Sequence, residues 1–304
     1  MRVLVAGAGG AIGVPLTRRL REHGHEVYGL TRDPGRSRAL ADRGVRPVVA
    51  DAMDRSALLR AVDGLAADAV VHELTALART PTRHAGMAQT NRLRVEGTAN
   101  LLAAAEVVGA RRFLTQSIVL GYGYRDHGDR VLTETDPFGE PQGTKVDPHL
   151  AAMRATEQQA FTAPHGIALR YGLFYGGDTA RLRPRLMKRR LPVTDGGVLP
   201  WVHVEDAAAA TVAALEHGRA GQAYNVADDE PATLAEVFTA LAGALGAPPP
   251  RRLPAWLLRL AAPYVVTTAV ETNLRVATAK ARTELDWRPA YPSYREGVAA
   301  AARG

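Results

Sequence analysis

Three glycines are spaced three residues apart near the start of the chain, where a short apolar segment gives way to a helical pattern. Glycines at such a junction allow a tight turn and a close approach of the backbone to a pyrophosphate, which the free amides and positive dipole of the helix attract. A glycine pattern alone is weak, but between a strand and a helix it predicts a dinucleotide-binding loop. The predicted loop residues are Gly7, Gly9, Gly10, Ala11, Ile12 and Gly13.

The end of the second apolar segment, 26–31, indicates which dinucleotide is bound. An acidic residue there would hydrogen-bond the ribose hydroxyls of NAD and repel the 2′-phosphate of NADP. The residue is instead Thr31, followed by Arg32 and, nearby, Arg36. Because a guanidinium can bind a phosphate through two hydrogen bonds, we expect NADPH to be preferred over NADH. Asp33 could pair with Arg32 and weaken this preference.

Strand and helix signals alternate through the first half of the chain. The strand-like runs are 3–6, 26–31, 46–50, 68–72, 111–117 and 166–170. The helical patterns between them are 11–23, 36–43, 54–62, 92–109 and 148–163. Such alternation predicts an α/β fold with a Rossmann-type doubly wound parallel sheet. We expect this dinucleotide domain in 1–170 and a smaller substrate-binding cap region in 171–304, interleaved as one compact unit.

The composition excludes several classes of protein. The 304 residues are 46% hydrophobic, which suits a globular protein with a sizeable core. Cysteine is absent, so disulfides and cysteine nucleophiles are excluded, and no zinc-ligand spacing occurs, so we expect no metal. No apolar run reaches the ~18 residues that span a bilayer. The net charge of +7 comes from scattered arginines, so we expect no nucleic-acid partner. The lack of a long apolar run and of cysteine predicts no membrane partner and a cytoplasmic location.

Further segments occur in the order of one enzyme family. They are Ala50-Asp51-Ala52, Val70-Val71-His72, Gly97-Thr98-Ala99-Asn100-Leu101-Leu102, 113–117, 169–176, 201–206, Tyr224-Asn225-Val226, Lys280-Ala281 and 285–289. With the glycine loop they cover nearly the whole chain, which resembles the extended short-chain dehydrogenases/reductases. The resemblance implies further cofactor contacts, with an aspartate at the adenine. These contacts are Asp51, Ala52, Leu74, Gln116, Met153, Tyr171, Gly172 and Leu173.

The family's proton-transfer pair is missing from this chain. In the family, a tyrosine and a lysine four residues apart share one helix face, and the tyrosine exchanges a proton with the substrate oxygen. The lysines here are Lys145, Lys188 and Lys280, and none follows a tyrosine by four residues. Aligned on the helix pattern, His149 takes the place of the tyrosine and Met153 that of the lysine. The chain therefore resembles atypical members that lack the dyad.

Two residues remain as the predicted catalytic groups, Ser117 and His149. Ser117 stands where the resemblance implies the family's serine, whose hydroxyl holds a substrate carbonyl and polarises it. The proton has three possible sources: the His149 imidazolium, a competent acid near neutrality; water; or an acidic hydroxyl of the substrate. The alternative interpretations are an ordinary first-turn histidine and a serine that caps the end of a strand.

These features predict an NAD(P)H-dependent ketoreductase. The pattern resembles atypical reductases of secondary metabolism, which implies a bulky, polycyclic ketone such as an angucyclinone-like aromatic polyketide and a role in antibiotic biosynthesis. The residues expected to line the substrate are Tyr122, Tyr124, Phe174 and Trp201. One alternative is a non-catalytic NADP-binding regulator. A nucleotide-sugar epimerase or dehydratase ranks lowest, because it needs the tyrosine. Both a monomer and a homodimer remain open.

Overall fold

The computed structural model describes residues 1–77, 81–177 and 179–301. Its strands, in chain order, are β1 Arg2–Ala6, β2 Glu26–Thr31, β3 Arg46–Val49, β4 Ala69–His72, β5 Arg112–Ile118, β6 Asp126–Leu132, β7 His165–Tyr171, β8 Leu173–Tyr175, β9 Trp201–His203, β10 Gln222–Val226 and β11 Asn273–Val276. Its α-helices are α1 Gly13–Glu22, α2 Ser37–Ala41, α3 Arg55–Val62, α4 Ala88–Arg92, α5 Thr98–Val107, α6 Asp147–Ala160, α7 Thr179–Met187, α8 Val204–His217, α9 Leu234–Ala244, α10 Ala255–Ala261, α11 Pro263–Ala269, α12 Ala279–Glu284 and α13 Tyr294–Ala301.

A parallel sheet of seven strands organises the molecule, in the order β10-β7-β5-β4-β1-β2-β3. The predicted doubly wound α/β fold is confirmed. The strand order reverses between the adjacent strands β1 and β4. Strands β2 and β3 follow on the side of β1, and β5, β7 and β10 follow on the side of β4. Ligands of such sheets bind at the carboxyl ends of the strands beside this reversal. The glycine loop after β1, Glu73 after β4 and Ser117 near the end of β5 are all brought to that edge.

The apolar sequence of β1 reflects burial on both faces of the sheet. Val3 and Val5 pack with Leu16 and Leu20 of α1 on one side. Leu4 belongs to the core on the other side, together with residues of α3 and α5. Strands covered by helices on both faces have continuous rather than alternating apolar patterns. This packing fixes the position at which β1 delivers the glycine loop.

The structure differs from the sequence prediction in three places. The sheet gains β10 from the region expected to form the cap. The segment 122–147, expected as a loop, contains β6, which pairs with the distant β11. The helix expected over 92–109 is composite, because a π-helical turn, Leu93–Gly97, separates α4 from α5. Such pairings and distortions depend on packing between distant segments, which a local pattern does not report.

Asp54 provides a simple test of local stability beside the edge of the sheet at which the carboxyl ends of the strands lie. Its carboxylate caps α3 by accepting a hydrogen bond from the backbone N–H of Ala57 at 2.9 Å. We expect Asp54→Ala to lower the free energy of unfolding by about 1 kcal/mol, because it removes this cap. Asp63→Ala, at the opposite end of α3, is the control and should be neutral or slightly stabilising, since an acidic group disfavours a helix C-terminus. Urea unfolding of both variants measures the difference, and equal losses would contradict the prediction.

Candidate functional site

The glycine loop has the geometry of a backbone cradle. Gly10 N–H donates to the carbonyl of Gly7 at 2.8 Å, and Gly7 has a φ of +99° that favours glycine. A Cβ on Gly7 would lie 2.7 Å from the carbonyl oxygen of Glu73, and one on Gly13 would lie 2.0 Å from that of Gly7. Ile12, at the N-terminus of α1, provides no side-chain cap. The loop therefore presents backbone amides at a site where side chains do not fit.

Arg36, in the segment that follows β2, lies beside the glycine loop. A Cβ on Gly9 would lie 3.9 Å from Nη1 of Arg36. The Thr31 hydroxyl accepts from the N–H of Asp33. The Asp33 carboxylate accepts from the N–H of Gly35 and pairs with Arg36 at 3.5 Å rather than with Arg32. The Asp33 carboxylate is therefore partly occupied by a hydrogen bond within its own turn. The Arg36 guanidinium lies beside the glycine loop.

The remaining predicted cofactor residues occupy the ends of neighbouring strands. Asp51 accepts from the N–H of Met53, and the carbonyl of Ala52 accepts from the Asn100 amide. The Gln116 amide donates to the carbonyl of Leu74, which joins β5 to the segment after β4. The sheet thus brings these groups to one edge, as the resemblance implies.

Ser117 is buried, and its hydroxyl has no hydrogen-bond partner in the described part of the chain. A buried hydroxyl without a partner is unusual, so this group is available to a ligand. Met153 is completely buried in an apolar cluster with Val146 and Leu150, against Ile118 and Tyr124. Met153, which the resemblance aligns with the family's lysine, is therefore part of the apolar packing.

His149 lies in a group of rings that we call the aromatic cluster: His84, Tyr124, His149 and Tyr264. The ring of His149 stacks on His84 at 5.5 Å and meets the edge of Tyr264 at 5.6 Å. Nδ1 of His149 lies 2.9 Å from the Asn91 amide nitrogen, and Nε2 lies 3.3 Å from Nδ1 of His84. If Asn91 donates to Nδ1, then Nε2 carries the proton and donates it to His84. Both nitrogens are thus engaged within the protein.

The surroundings of His149 make it a poor acid. Burial lowers its pKa to about 4, and the positive charge of Arg94 and the neighbouring His84 act in the same direction. At neutral pH the ring is therefore an uncharged imidazole. The imidazolium proton donor considered from the sequence does not fit this environment, because the protonated form would be desolvated beside a cation.

The sequence-based search missed Arg94, Asn91, His84 and Tyr264. Arg94 is 4% exposed, and its Nε and Nη1 have no hydrogen-bond partner among the described residues, which is rare for an arginine. Its spacing of seven residues from both Met87 and Leu101, which are buried, would have placed it on the inner face of the helix. No comparable signal marks Tyr264, whose contact with the site depends on a segment far along the chain.

Glu73 and Tyr171 form a buried pair beneath the glycine loop. The hydroxyl of Tyr171 donates to Oε1 of Glu73 at 3.0 Å and lies 2.7 Å from the Thr211 hydroxyl. Burial raises the pKa of Glu73 to about 8, so its carboxyl is neutral at pH 7. Gly172 follows, and a Cβ there would lie 2.9 Å from the carbonyl of Pro200. Leu173 then donates its N–H to the same carbonyl at 2.8 Å.

The four predicted substrate-lining residues have different surroundings. Tyr122 is buried in a network in which its hydroxyl donates to Asn225 and accepts from Arg170, which pairs with Glu157. Trp201 is buried, and its indole donates to the carbonyl of Ala232. These two residues therefore have structural roles, because their polar groups are already satisfied.

The other two predicted lining residues remain accessible to a ligand. Tyr124 contacts both His149 and Tyr264 in the aromatic cluster. Phe174 is 39% exposed and packs on Tyr171 at 5.2 Å. Tyr124 also packs against the apolar cluster of Val146, Leu150 and Met153.

Several known proteins are similar to this chain in sequence or in fold. The chain is 43% identical to the 3-diazoavenalumate denitrifying reductase of a Streptomyces species, over 98% of this chain and 99% of that protein. It is 31% identical to the 2-alkyl-3-oxoalkanoate reductase of Stenotrophomonas maltophilia, over 82% of this chain and 77% of that protein. A human epimerase family protein solved with NADPH superposes with a TM-score of 0.77 over 100% of both chains, at 20% identity, which shows the shared fold.

The family follows from a match that spans most of the chain. Residues 3–227 match the model of the NAD dependent epimerase/dehydratase family. This segment includes the glycine loop, the whole seven-stranded sheet and the helix that carries His149. The chain therefore belongs to the NAD dependent epimerase/dehydratase family, among the extended short-chain dehydrogenases/reductases, as an NAD(P)-dependent oxidoreductase.

Proposed function

We propose that this protein is an NAD(P)H-dependent reductase that replaces the nitrogen of an aromatic diazo compound with hydrogen. The observation that carries the proposal is the absence of an acid at the dyad positions. His149 is an uncharged imidazole at neutral pH, and Met153 is buried in apolar packing. A reaction that needs no proton at the reacting atom suits this site better than one that does.

Reduction of a ketone requires a proton, whereas reduction of an aryl diazonium ion does not. When bound, the reduced nicotinamide supplies a hydride. In a ketone, hydride addition at carbon leaves an alkoxide that must gain a proton, and a positioned acid accelerates this step by roughly 10²–10⁴-fold. In an aryl diazonium ion, the hydride pair forms the new C–H bond, and the pair of the broken C–N bond leaves with N₂. The products, an arene and N₂, are complete without a proton.

The relative with 43% identity supports this substrate class. Its name describes reduction of a diazo acid with loss of nitrogen, and the match extends over nearly the full length of both proteins. The aromatic cluster adds a physical reason, since the rings of Tyr124, His149 and Tyr264 provide flat apolar surfaces for an aromatic substrate. We therefore infer an aromatic diazo acid as the substrate.

The residues at the sheet edge fit a nicotinamide dinucleotide. A Cβ on Gly7 or Gly13 would collide with neighbouring backbone, so the tight turn that can bring backbone amides to a pyrophosphate requires glycine at both positions. We propose that Asp51 holds the adenine end and that Arg36 favours NADPH by binding the 2′-phosphate. The Arg36 guanidinium borders the glycine loop, and no acidic residue ends β2.

Arg36→Ala tests the cofactor preference. We expect the variant to bind NADPH about tenfold more weakly while its NADH affinity changes little, because only NADPH has the 2′-phosphate. Fluorescence titration of each cofactor gives the two dissociation constants. Arg43→Ala, another exposed arginine at the end of the same helical segment, is the matched control. Equal losses for both cofactors would contradict a 2′-phosphate contact.

Diazo reduction can be tested with 3-diazo-4-hydroxycinnamate as the probe substrate. We expect NADPH consumption, release of N₂ and formation of 4-hydroxycinnamate in equal amounts. With NADPH deuterated at the transferred position, the deuterium should appear on the ring carbon that carried the nitrogen. Deuterium that enters this carbon from heavy water instead would refute hydride transfer.

His149→Phe and Ser117→Ala separate the possible reactions. For diazo reduction we expect His149→Phe to retain activity within about threefold, because no proton donor is lost. A loss of 100-fold or more in this variant, at unchanged stability, would assign proton transfer to His149 and contradict the proposal. No turnover of diazo compounds or ketones, combined with tight NADPH binding, would instead favour a non-catalytic regulator.

Ketone reduction is the second candidate, and the unpartnered hydroxyl of Ser117 favours it. This group could donate to a carbonyl oxygen and polarise it. The sequence resembles the tyrosine-less angucyclinone ketoreductase of simocyclinone biosynthesis, so a polycyclic ketone with a phenol near its carbonyl is the appropriate probe. Faster reduction of such a ketone than of the diazo probe, with a marked loss in Ser117→Ala, would replace the first proposal with this one.

A further inference from the structure

Arg94 is a buried cation that has no counterion among residues 1–77, 81–177 and 179–301. It lies in the π-helical turn Leu93–Gly97 and is 4% exposed. Its Nε and Nη1 atoms are buried and have no hydrogen-bond partner in the same ranges. A buried charge is normally paired and hydrogen-bonded, because its loss of hydration is otherwise uncompensated.

The groups near Arg94 do not supply the missing negative charge. Its charge acts on His149 and on His72, and burial lowers the pKa of both histidines to about 4. The hydroxyls of Tyr124 and Tyr264 lie near enough to favour the charged form of Arg94, although burial lowers its pKa. Burial also raises the pKa of Tyr124 well above its usual value. At neutral pH, the rings of His72, His149 and Tyr124 near Arg94 are therefore uncharged.

Arg94 lies near the residues at which we expect the reduction to take place. The resemblance aligns His149 with the family's tyrosine and Met153 with its lysine, and Tyr124 packs against the apolar cluster that contains Met153. The same rings that feel the charge of Arg94 thus belong to the aromatic cluster. π-Helical turns occur frequently at functional sites, and this one carries the unpaired guanidinium.

We propose that Arg94 binds an anionic oxygen of the substrate, a carboxylate or a phenolate, while the aromatic cluster contacts the substrate ring. The assignment rests on the proposed function, because it concerns the substrate of the same site. A guanidinium and a carboxylate form short, charge-assisted hydrogen bonds, often in pairs. The ligand would satisfy the Nε and Nη1 donors and neutralise the charge at once. The enzyme would then select aromatic anions over neutral aromatics of the same shape.

Binding of small aromatic anions tests this assignment without turnover. Calorimetry compares cinnamate with cinnamamide for the carboxylate, and 4-nitrophenolate with nitrobenzene for the phenolate, each with the protein saturated with NADP⁺. We expect at least one anion to bind about tenfold or more tightly than its neutral counterpart. The pair that shows the preference identifies the source of the anionic oxygen. No preference in either pair would overturn the proposal.

Variants at Arg94 and Arg92 show which charge is responsible. Arg94→Gln should remove the preference for the anion, and Arg94→Lys should retain part of it. Arg92→Gln is the matched control, since Arg92 is exposed in the same helical segment and pairs with Glu96. An anion preference that persists in Arg94→Gln, or that disappears in Arg92→Gln, would overturn the assignment.

Thermal unfolding distinguishes a binding residue from a structural one. Without ligand, Arg94→Gln should melt at the same temperature as the wild type or higher, because the lost charge had no partner. The anion that calorimetry selects, cinnamate or 4-nitrophenolate, should raise the melting temperature of the wild type but not that of the variant. A lower melting temperature in Arg94→Gln, with the stabilising effect of that anion preserved, would make Arg94 a structural residue.

The assignment of Arg94 as an anion-binding residue and the proposed diazo reduction can be refuted independently. An Arg94-dependent preference for aromatic anions, without diazo reduction, would retain the anion site and remove the proposed reaction. Diazo reduction with an unchanged KM in Arg94→Gln would retain the reaction and remove the anion site.

Discussion

Gly13→Ala should lower the affinity for NADPH by at least about 100-fold, which corresponds to roughly 3 kcal/mol. The added Cβ would lie 2.0 Å from the carbonyl oxygen of Gly7 and 2.8 Å from the carbonyl carbon of Ala8. Both contacts are with backbone, so no flexible side chain can move aside. The loop must open, and its amides then lose the arrangement in which they would receive a pyrophosphate.

Fluorescence titration with NADPH measures this loss, and circular dichroism establishes that the variant is folded. Gly243→Ala is the matched control, because Gly243 lies within α9 and a Cβ there would meet nothing within 4 Å. Alanine at a helix interior is favoured over glycine, so the control should bind NADPH normally and be slightly more stable. A folded Gly13→Ala protein with unchanged affinity would show that the dinucleotide binds elsewhere.

Glu73→Gln should stabilise the protein strongly at alkaline pH and hardly at all at pH 5. Burial raises the pKa of Glu73 from 4.5 to about 8, so the folded protein holds a proton that the unfolded chain releases between these values. The stabilising contribution of the protonated carboxyl is therefore complete below pH 4.5 and is lost as the pH rises through about 8. The difference between the two values corresponds to up to about 5 kcal/mol.

Glutamine retains an oxygen that can accept the hydrogen bond from Tyr171 but does not ionise. Chemical unfolding of the wild type and the variant at pH 5 and pH 9 gives the two differences in free energy. Comparing the proteins at each pH cancels the contribution of Asp228, whose pKa is also raised to about 8, chiefly by burial. Glu106→Gln, at an exposed position of α5, should show no such difference. An advantage for Glu73→Gln that does not grow with pH would refute a neutral buried carboxyl.

The sequence predicts those parts of the fold that depend on local patterns. Apolar runs, glycine spacing and Pro148 predict the glycine loop, six of the seven strands of the sheet (β1 to β5 and β7) and the start of α6 near Pro148. Strands β10 and β11 could not be predicted in this way. Each is fixed by pairing with β7 or β6, far away in sequence, and a short apolar segment does not specify its partner.

Prediction of the candidate site from the sequence has the same limit. Ser117 and His149 stay predictions that rest on the family resemblance. The sequence does not predict the network that makes His149 a weak acid, because this network joins His84, Arg94 and Tyr264 from three separate segments. Tyr122 shows the reverse problem. Its residue type suits a substrate pocket, but Asn225 and Arg170 already satisfy its hydroxyl in the interior.

The π-helical turn Leu93–Gly97 makes the site sensitive to chain length. Thr98, just beyond this turn, is tied to α6 through the Thr156 hydroxyl at 2.7 Å. Deleting one residue between Arg94 and Thr98 would restore regular α-helical spacing and rotate Arg94 by about 100° relative to that anchor. The positive charge would then turn away from the aromatic cluster, although no side chain had been substituted. A single-codon deletion is therefore a route by which a protein of this architecture could exchange anionic for neutral substrates.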